Sequence, residues 1–92
     1  LRADLYLMGV TGVHAEAGLT TGDFEEAAVK RALHQRAAET VVLASLDKLG
    51  TASPFSVAPL RELAALVVPA ATPQALRKKL QAGGAKVEIA AG

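Results

Sequence analysis

Cysteine and tryptophan are absent from the 92 residues, and aromatics are scarce: one tyrosine and two phenylalanines. Without cysteine there is no disulfide framework, no thiolate metal site and no cysteine nucleophile. Tyr6, Phe24 and Phe55 are too scattered to build a stacking platform for single-stranded nucleic acid. Tyr6 and Phe24 read instead as core residues. Net charge is +1, too near neutral to hold nucleic acid by electrostatics alone. No apolar run approaches the ~20 residues that span a bilayer, so no membrane partner is expected.

What is present is apolar and small. Hydrophobic residues make up 51% of the chain, with twenty alanines, thirteen leucines and nine valines. Mean hydropathy is +0.30, a globular rather than a disordered composition. A chain of this length makes one domain, burying about 60–65% of its unfolded surface. Charge is uneven: residues 1–46 carry four basic and six acidic side chains, residues 47–92 six basic and three acidic. The opening Leu1-Arg2-Ala3-Asp4 is neither a signal peptide nor an initiator methionine. We therefore expect an internal piece of a longer, cytoplasmic protein.

Apolar patterning divides the chain into alternating elements. Residues 3–9 read as a buried strand ending at Gly9, and residues 10–22, with Gly12, Gly18 and Gly22, as a loop. Asp23 stands at a helix N-cap with Glu26 at the capping-box spacing. The helix runs to about Ala38, and Phe24, Ala28, Val29, Ala32, Leu33 and Ala37 form its apolar stripe. Strands follow at 40–44 and 64–68, separated by a polar loop over 45–54 and a short helix over 59–63. Thr72 and Pro73 start another helix as N-cap and first residue, with Leu76 and Leu80 inward and Arg77, Lys78 and Lys79 toward solvent. Residues 86–90 make a last strand. Such alternation predicts an α/β fold, a mainly parallel sheet with helices on its faces.

In such sheets ligands gather at the carboxyl ends of the strands. The glycine-rich loop after the first strand runs into a helix N-terminus, an anion site in principle, but Asp23 would compete there. Gly9-Val10-Thr11-Gly12 fits no dinucleotide fingerprint, and no Walker lysine follows. Glu26 and Lys30 have the spacing of a solvated ion pair, which the pattern favours over charges turned into a cleft. Lys48, just beyond the second strand, suits either a solvated loop or a phosphate or carboxylate contact. His14 and His34, twenty residues apart, lack any metal-ligand pattern and read as surface residues. Ser45 lacks the flanking glycines of a nucleophile elbow. Neither a metal nor a cofactor nor a catalytic residue is expected.

Four segments taken together resemble the effector-binding domain of DeoR-type transcription regulators. They are Ala-Asp-Leu-Tyr-Leu-Met-Gly (3–9), Gly-Leu-Thr-Thr (18–21), Glu-Ala-Ala-Val-Lys-Arg (26–31) and Val-Val-Leu-Ala-Ser-Leu-Asp-Lys-Leu-Gly (41–50). Order and spacing both match over residues 3–50. The resemblance implies a sugar-phosphate-binding domain, Rossmann-like and related to isomerases and coenzyme A transferases, without their catalysis. This chain would be the second half of that domain. The helix-turn-helix that contacts DNA would lie outside it, and the parent protein would form a homo-oligomer.

By position, the resemblance places Asp4, Gly9, Thr20, Glu26, Lys30 and Lys48 near the pocket for a phosphorylated sugar. Two departures stand out: Ser45 stands where the family usually carries Asp, and Pro69 at or next to the place where an Asp commonly closes the next strand. The sequence thus implies a ligand sensor controlling DNA binding by a parent protein. The competing readings are a sugar-phosphate isomerase or deaminase relative, which would need a positioned general base, and a domain kept only for dimerisation. A half-domain would also leave one sheet edge and one apolar face uncovered.

Overall fold

A computed structural model describes residues 3–90. Its elements, in chain order, are β1 (Ala3–Met8), β2 (Gly12–His14), β3 (Gly18–Thr21), α1 (Phe24–Arg36), β4 (Ala37–Leu43), β5 (Phe55–Ala58), β6 (Ala65–Val68), α2 (Gln74–Ala82) and β7 (Val87–Ile89). Single 3₁₀ turns fall at Leu46–Lys48 and Leu60–Glu62. The expected parallel sheet is present, with four strands in the order β1-β4-β6-β7.

That order carries a consequence. Each strand pairs with the next parallel strand in the chain, so right-handed crossovers place every connection on the same face. Alternate side chains follow suit. Met8, Thr40, Val42, Leu66 and Val68 are buried, whereas Leu5, Leu7 and Leu43 on the other face are 54%, 58% and 55% exposed. Helices packed on the sheet are present, and so is the uncovered apolar face expected of a half-domain. Among the described residues the helices lie on one face only, opposite that surface.

The covered face is roofed by an element that composition concealed. Residues 10–22 contain two strands rather than a loop. β2 and β3 pair antiparallel, and β3 pairs antiparallel with β5 to make a three-stranded sheet. Val13, Leu19, Val57 and Ala58 of this small sheet join Leu60, Leu63 and Leu80 in one core with Met8, Val42 and Leu66. Gly18 makes the hairpin possible. Its φ is +78°, and a Cβ there would meet the Ala58 carbonyl oxygen at 2.5 Å.

Helix α1 begins as expected. Asp23 Oδ1 accepts from the backbone N–H of Glu25 at 2.8 Å and of Glu26 at 3.1 Å. Its orientation does not follow the apolar stripe. Phe24, Val29 and Leu33 are 63%, 58% and 44% exposed, and Ala27 alone is buried on this helix. The polar stripe turns inward because it finds partners there. Arg31 Nη1 donates to the Ser56 carbonyl at 2.6 Å, and His34 bridges Thr40 Oγ1 at 2.7 Å and Glu62 Oε1 at 2.9 Å. Phe24 rests edge-on against Phe55, with ring centres 5.7 Å apart, rather than in the core.

Helix α2 also departs at its start. Pro73, not Thr72, is the N-cap and no side chain caps it, while the Thr72 hydroxyl is buried without a partner. Leu80 is fully buried and Leu76 packs against the core, as expected. Lys78 and Lys79 are exposed, whereas Arg77 is half-buried.

Candidate functional site

The carboxyl ends of β1, β4 and β6 lie side by side, as the parallel register requires. Two groups of polar residues assemble along this edge. At the end of β1, the Gly9 carbonyl accepts a hydrogen bond from the Lys30 ammonium. Lys30 also pairs with Glu26 at 2.7 Å and is only 17% exposed. Gly9, Glu26 and Lys30 are therefore one cluster, joining the middle of α1 to the end of β1. The ion pair is the local one that the spacing favoured, and Lys30 is largely occupied by it.

At the end of β4 the second group forms. Ser45 Oγ donates to Asp47 Oδ1 at 2.6 Å, and Asp47 Oδ2 lies 3.7 Å from the Lys48 ammonium. That bond from Ser45, with the Lys48 charge beside it, holds the Asp47 carboxyl below its ordinary range. At 3.7 Å the contact with Lys48 is longer than a hydrogen bond, so its attraction is charge alone. The 3₁₀ turn at Leu46–Lys48 sets this spacing by folding Lys48 N–H back to the Ser45 carbonyl at 3.0 Å.

Beside this group is an open groove of about 440 Å³ at the carboxyl ends of β4 and β6. Leu43, Ala44, Val67 and Val68 form its walls, and Ser45 and Pro69 both line it. The two positions that the sequence reading singled out after the second and third strands thus meet in one cavity. A smaller groove of about 150 Å³, between α2 and β7, is lined by Arg77 and Lys78 and reaches Ile89, the last residue of β7.

The remaining expected positions fall elsewhere. Asp4 is exposed at the amino end of β1, roughly 16 Å of strand from Gly9 at about 3.3 Å per residue. Thr20 is 2% exposed, and its hydroxyl donates to the Gly12 carbonyl at 3.2 Å and accepts from Ser53 N–H at 2.8 Å. Thr20 thereby ties β3 to the chain ahead of β5. Neither residue touches the groove.

The histidines are not free surface groups. His14 Nδ1 accepts from the N–H groups of Glu16 and Ala17, both at 3.1 Å, closing the β2–β3 hairpin. The Asp23 cap occupies two N–H groups that an anion at the start of α1 would need. Among the described residues no group of three carboxylates or imidazoles converges to hold a metal ion. No helix among them is long and apolar enough to cross a membrane.

The family described as the DeoR C terminal sensor domain matches residues 1–69. The HTH-type transcriptional regulator GlpR of Haloferax volcanii is 31% identical over 84 residues, covering 91% of this chain and 33% of that protein. The HTH-type transcriptional regulator GolR of Listeria innocua is 33% identical over 90 residues, covering 98% and 35%. The HTH-type transcriptional repressor GlcR of Bacillus subtilis is 33% identical over 86 residues, covering 94% and 33%. The chain spans about a third of the length of these curated relatives.

Proposed function

The chain belongs to the DeoR family, as a C-terminal sensor domain, and from that premise we propose that it binds a phosphorylated sugar or related phosphorylated metabolite at the carboxyl edge of its parallel sheet. One observation carries the reading: the Ser45–Asp47–Lys48 array stands beside the 440 Å³ groove, where ligands of parallel α/β sheets gather. Lys48 supplies the charge for the phosphate. It is partly exposed, and its one carboxylate neighbour is already held by Ser45. Gly9 and Lys30 border the same edge, with Lys30 positioning α1 over the end of β1 rather than meeting the ligand directly.

In this reading binding is non-covalent and without turnover. Among the described residues no carboxylate or imidazole lines the groove, and the side chain there with an exchangeable proton is the Ser45 hydroxyl. The occupied state would change how the parent protein, through a DNA-binding module, holds its operator. The parent would act as a homo-oligomer in the cytoplasm.

The test is thermal unfolding of the chain and of Lys48→Ala against phosphorylated sugars and smaller phosphorylated metabolites, with inorganic phosphate as control. Ligand at about 100 times its Kd adds ~2.7 kcal/mol to the fold that binds it. A selective shift lost in Lys48→Ala supports the site. Absence of any shift, or the same shift in both proteins, removes Lys48 and the array from the mechanism.

A further inference from the structure

Helix α2 sets a polar stripe beside β7. Gln74, Arg77, Lys78 and Gln81 recur at i, i+3, i+4 and i+7, the repeat that puts side chains on one helix face. They form one wall of the groove of about 150 Å³ between α2 and β7, and Val87 and Ile89 form the other. β7 is the last strand in the order β1-β4-β6-β7, so among the described residues no further strand closes the groove. Val87 packs against the core, which places the groove on the helix-covered side of the sheet and not on its bare face.

Charge in this groove has one sign. Among the described residues both ionisable side chains that line it are cations, and no carboxylate does. Glu88 alternates with Val87 and Ile89 and so stands on the opposite face of the sheet. Neither Arg77 nor Lys78 makes an ion pair among the described residues. Arg77 is half-buried, and its Nε–H is enclosed by protein without a hydrogen-bond partner. Buried donors are nearly always satisfied, and a donor on a cation is costlier than most to leave open. Gln74 and Gln81, about one turn to either side, add neutral amide donors.

We propose that this groove is an anion site, separate from the one at Lys48, for a doubly charged tetrahedral oxyanion: inorganic phosphate or the phosphate group of a small metabolite. Guanidinium and ammonium together match two negative charges, and the guanidinium fork suits oxygens in pairs. The Arg77 Nε–H thereby gains the acceptor it lacks. A carboxylate carries half the charge and leaves one of the two cations unmatched. The site shares no lining residue with the groove beside Ser45, and α2 and β7 lie outside residues 1–69, the part matched by the sensor-domain family.

The experiment follows the Arg77 Nε–H signal of the 92-residue chain by nitrogen-edited NMR while phosphate, sulfate or acetate is added at constant ionic strength. Phosphate and sulfate should each shift that signal saturably, and acetate should bind roughly tenfold more weakly. Arg77→Lys keeps the charge and removes the Nε donor, whereas Lys78→Gln removes a charge from an exposed position. Each should weaken phosphate by about tenfold, read from the backbone amides of α2 and β7. Lys79→Gln removes the same charge from a residue that lines a different groove, with His14 and Leu76. Neither it nor Lys48→Ala should alter the response of the Arg77 signal. Loss of the response in Lys48→Ala overturns the separateness of the site. Equal weakening by Lys79→Gln and Lys78→Gln overturns the site by reducing it to general charge. Acetate binding as tightly as phosphate overturns the assignment to a dianion, and absence of any saturable shift at Arg77 overturns the inference outright. Glycerol 3-phosphate, titrated beside inorganic phosphate, separates the two sources: tighter binding assigns the site to a metabolite, equal or weaker binding to inorganic phosphate.

Discussion

Ser45 and Asp47 are joined by a hydrogen bond of 2.6 Å between hydroxyl and carboxylate, two residues apart at the end of β4. The bond favours the charged carboxylate, so Asp47 titrates below the ordinary range. Ser45→Ala should therefore raise the Asp47 midpoint toward that range, as read from the side-chain carboxyl signal in an NMR pH titration. The sign for stability follows. A carboxyl whose pKa folding depresses stabilises the fold above its unfolded pKa, and that contribution disappears as pH falls through the folded value. Wild type and Ser45→Ala should thus converge in acid and differ above it. An unchanged midpoint in the variant would show that the bond does not exist in solution.

His34 and Thr40 offer a sharper energetic test. Thr40 is 2% exposed, and His34 Nδ1 is the hydrogen-bond partner of its hydroxyl. His34→Ala leaves that hydroxyl buried and unpaired, which should cost roughly 1–3 kcal/mol in urea denaturation. Adding Thr40→Val removes the orphaned group, so the double variant should recover part of the loss. If the two losses simply add, the pair does not interact.

Gly18 should tolerate no side chain. Its positive φ and the Ala58 carbonyl facing it predict that Gly18→Ala loses more than about 1 kcal/mol. Gly22, in open space with no positive φ, is the comparison. Gly22→Ala should be neutral or mildly stabilising. Equal thermal midpoints for the two variants would contradict the hairpin geometry.

The bare face of the parallel sheet predicts association. Leu5, Leu7 and Leu43 are all more than half exposed on one face of the sheet, where half-buried Val41 pairs with Leu7 and half-buried Val67 with Leu43. The 92-residue chain should show concentration-dependent self-association in sedimentation velocity, and Leu7→Lys should suppress it. Leu33→Lys, on the exposed face of α1, should leave it unchanged. A monomeric wild type at high concentration would show that this face needs no cover.

Several features of the fold were legible along the chain because each rests on local chemistry. Asp23 caps α1 by reaching N–H groups two and three residues away. Leu80 and Leu76 share a helix face by their spacing of four. β1, β4, β6 and β7 are apolar enough to mark themselves, and the alternation with helices implied their parallel pairing. The family resemblance, carried by segments between residues 3 and 50, is matched by the family alignment over residues 1–69.

Other features depended on partners distant in sequence. β2 and β3, Gly-Val-His and Gly-Leu-Thr-Thr, carry glycine and polar residues in place of an apolar run, and Leu19 becomes a strand residue by pairing with Val13 and Ala58. The apolar stripe of α1 predicted the wrong buried face, because hydrophobic periodicity ignores what Ser56, Thr40 and the Gly9 carbonyl offer the opposite stripe. The carboxyl edge shows the same division. Sequence alone determined that Lys48 follows a buried strand and that Ser45 and Pro69 stand in it and its neighbour's wake. Only the tertiary structure, by setting β4 beside β6 in register, brought Ser45 and Pro69 into one groove and left Asp4 at the far end of its strand. Local propensity acts over a few residues, whereas which side chains share a cavity is decided by strand pairing across the sheet.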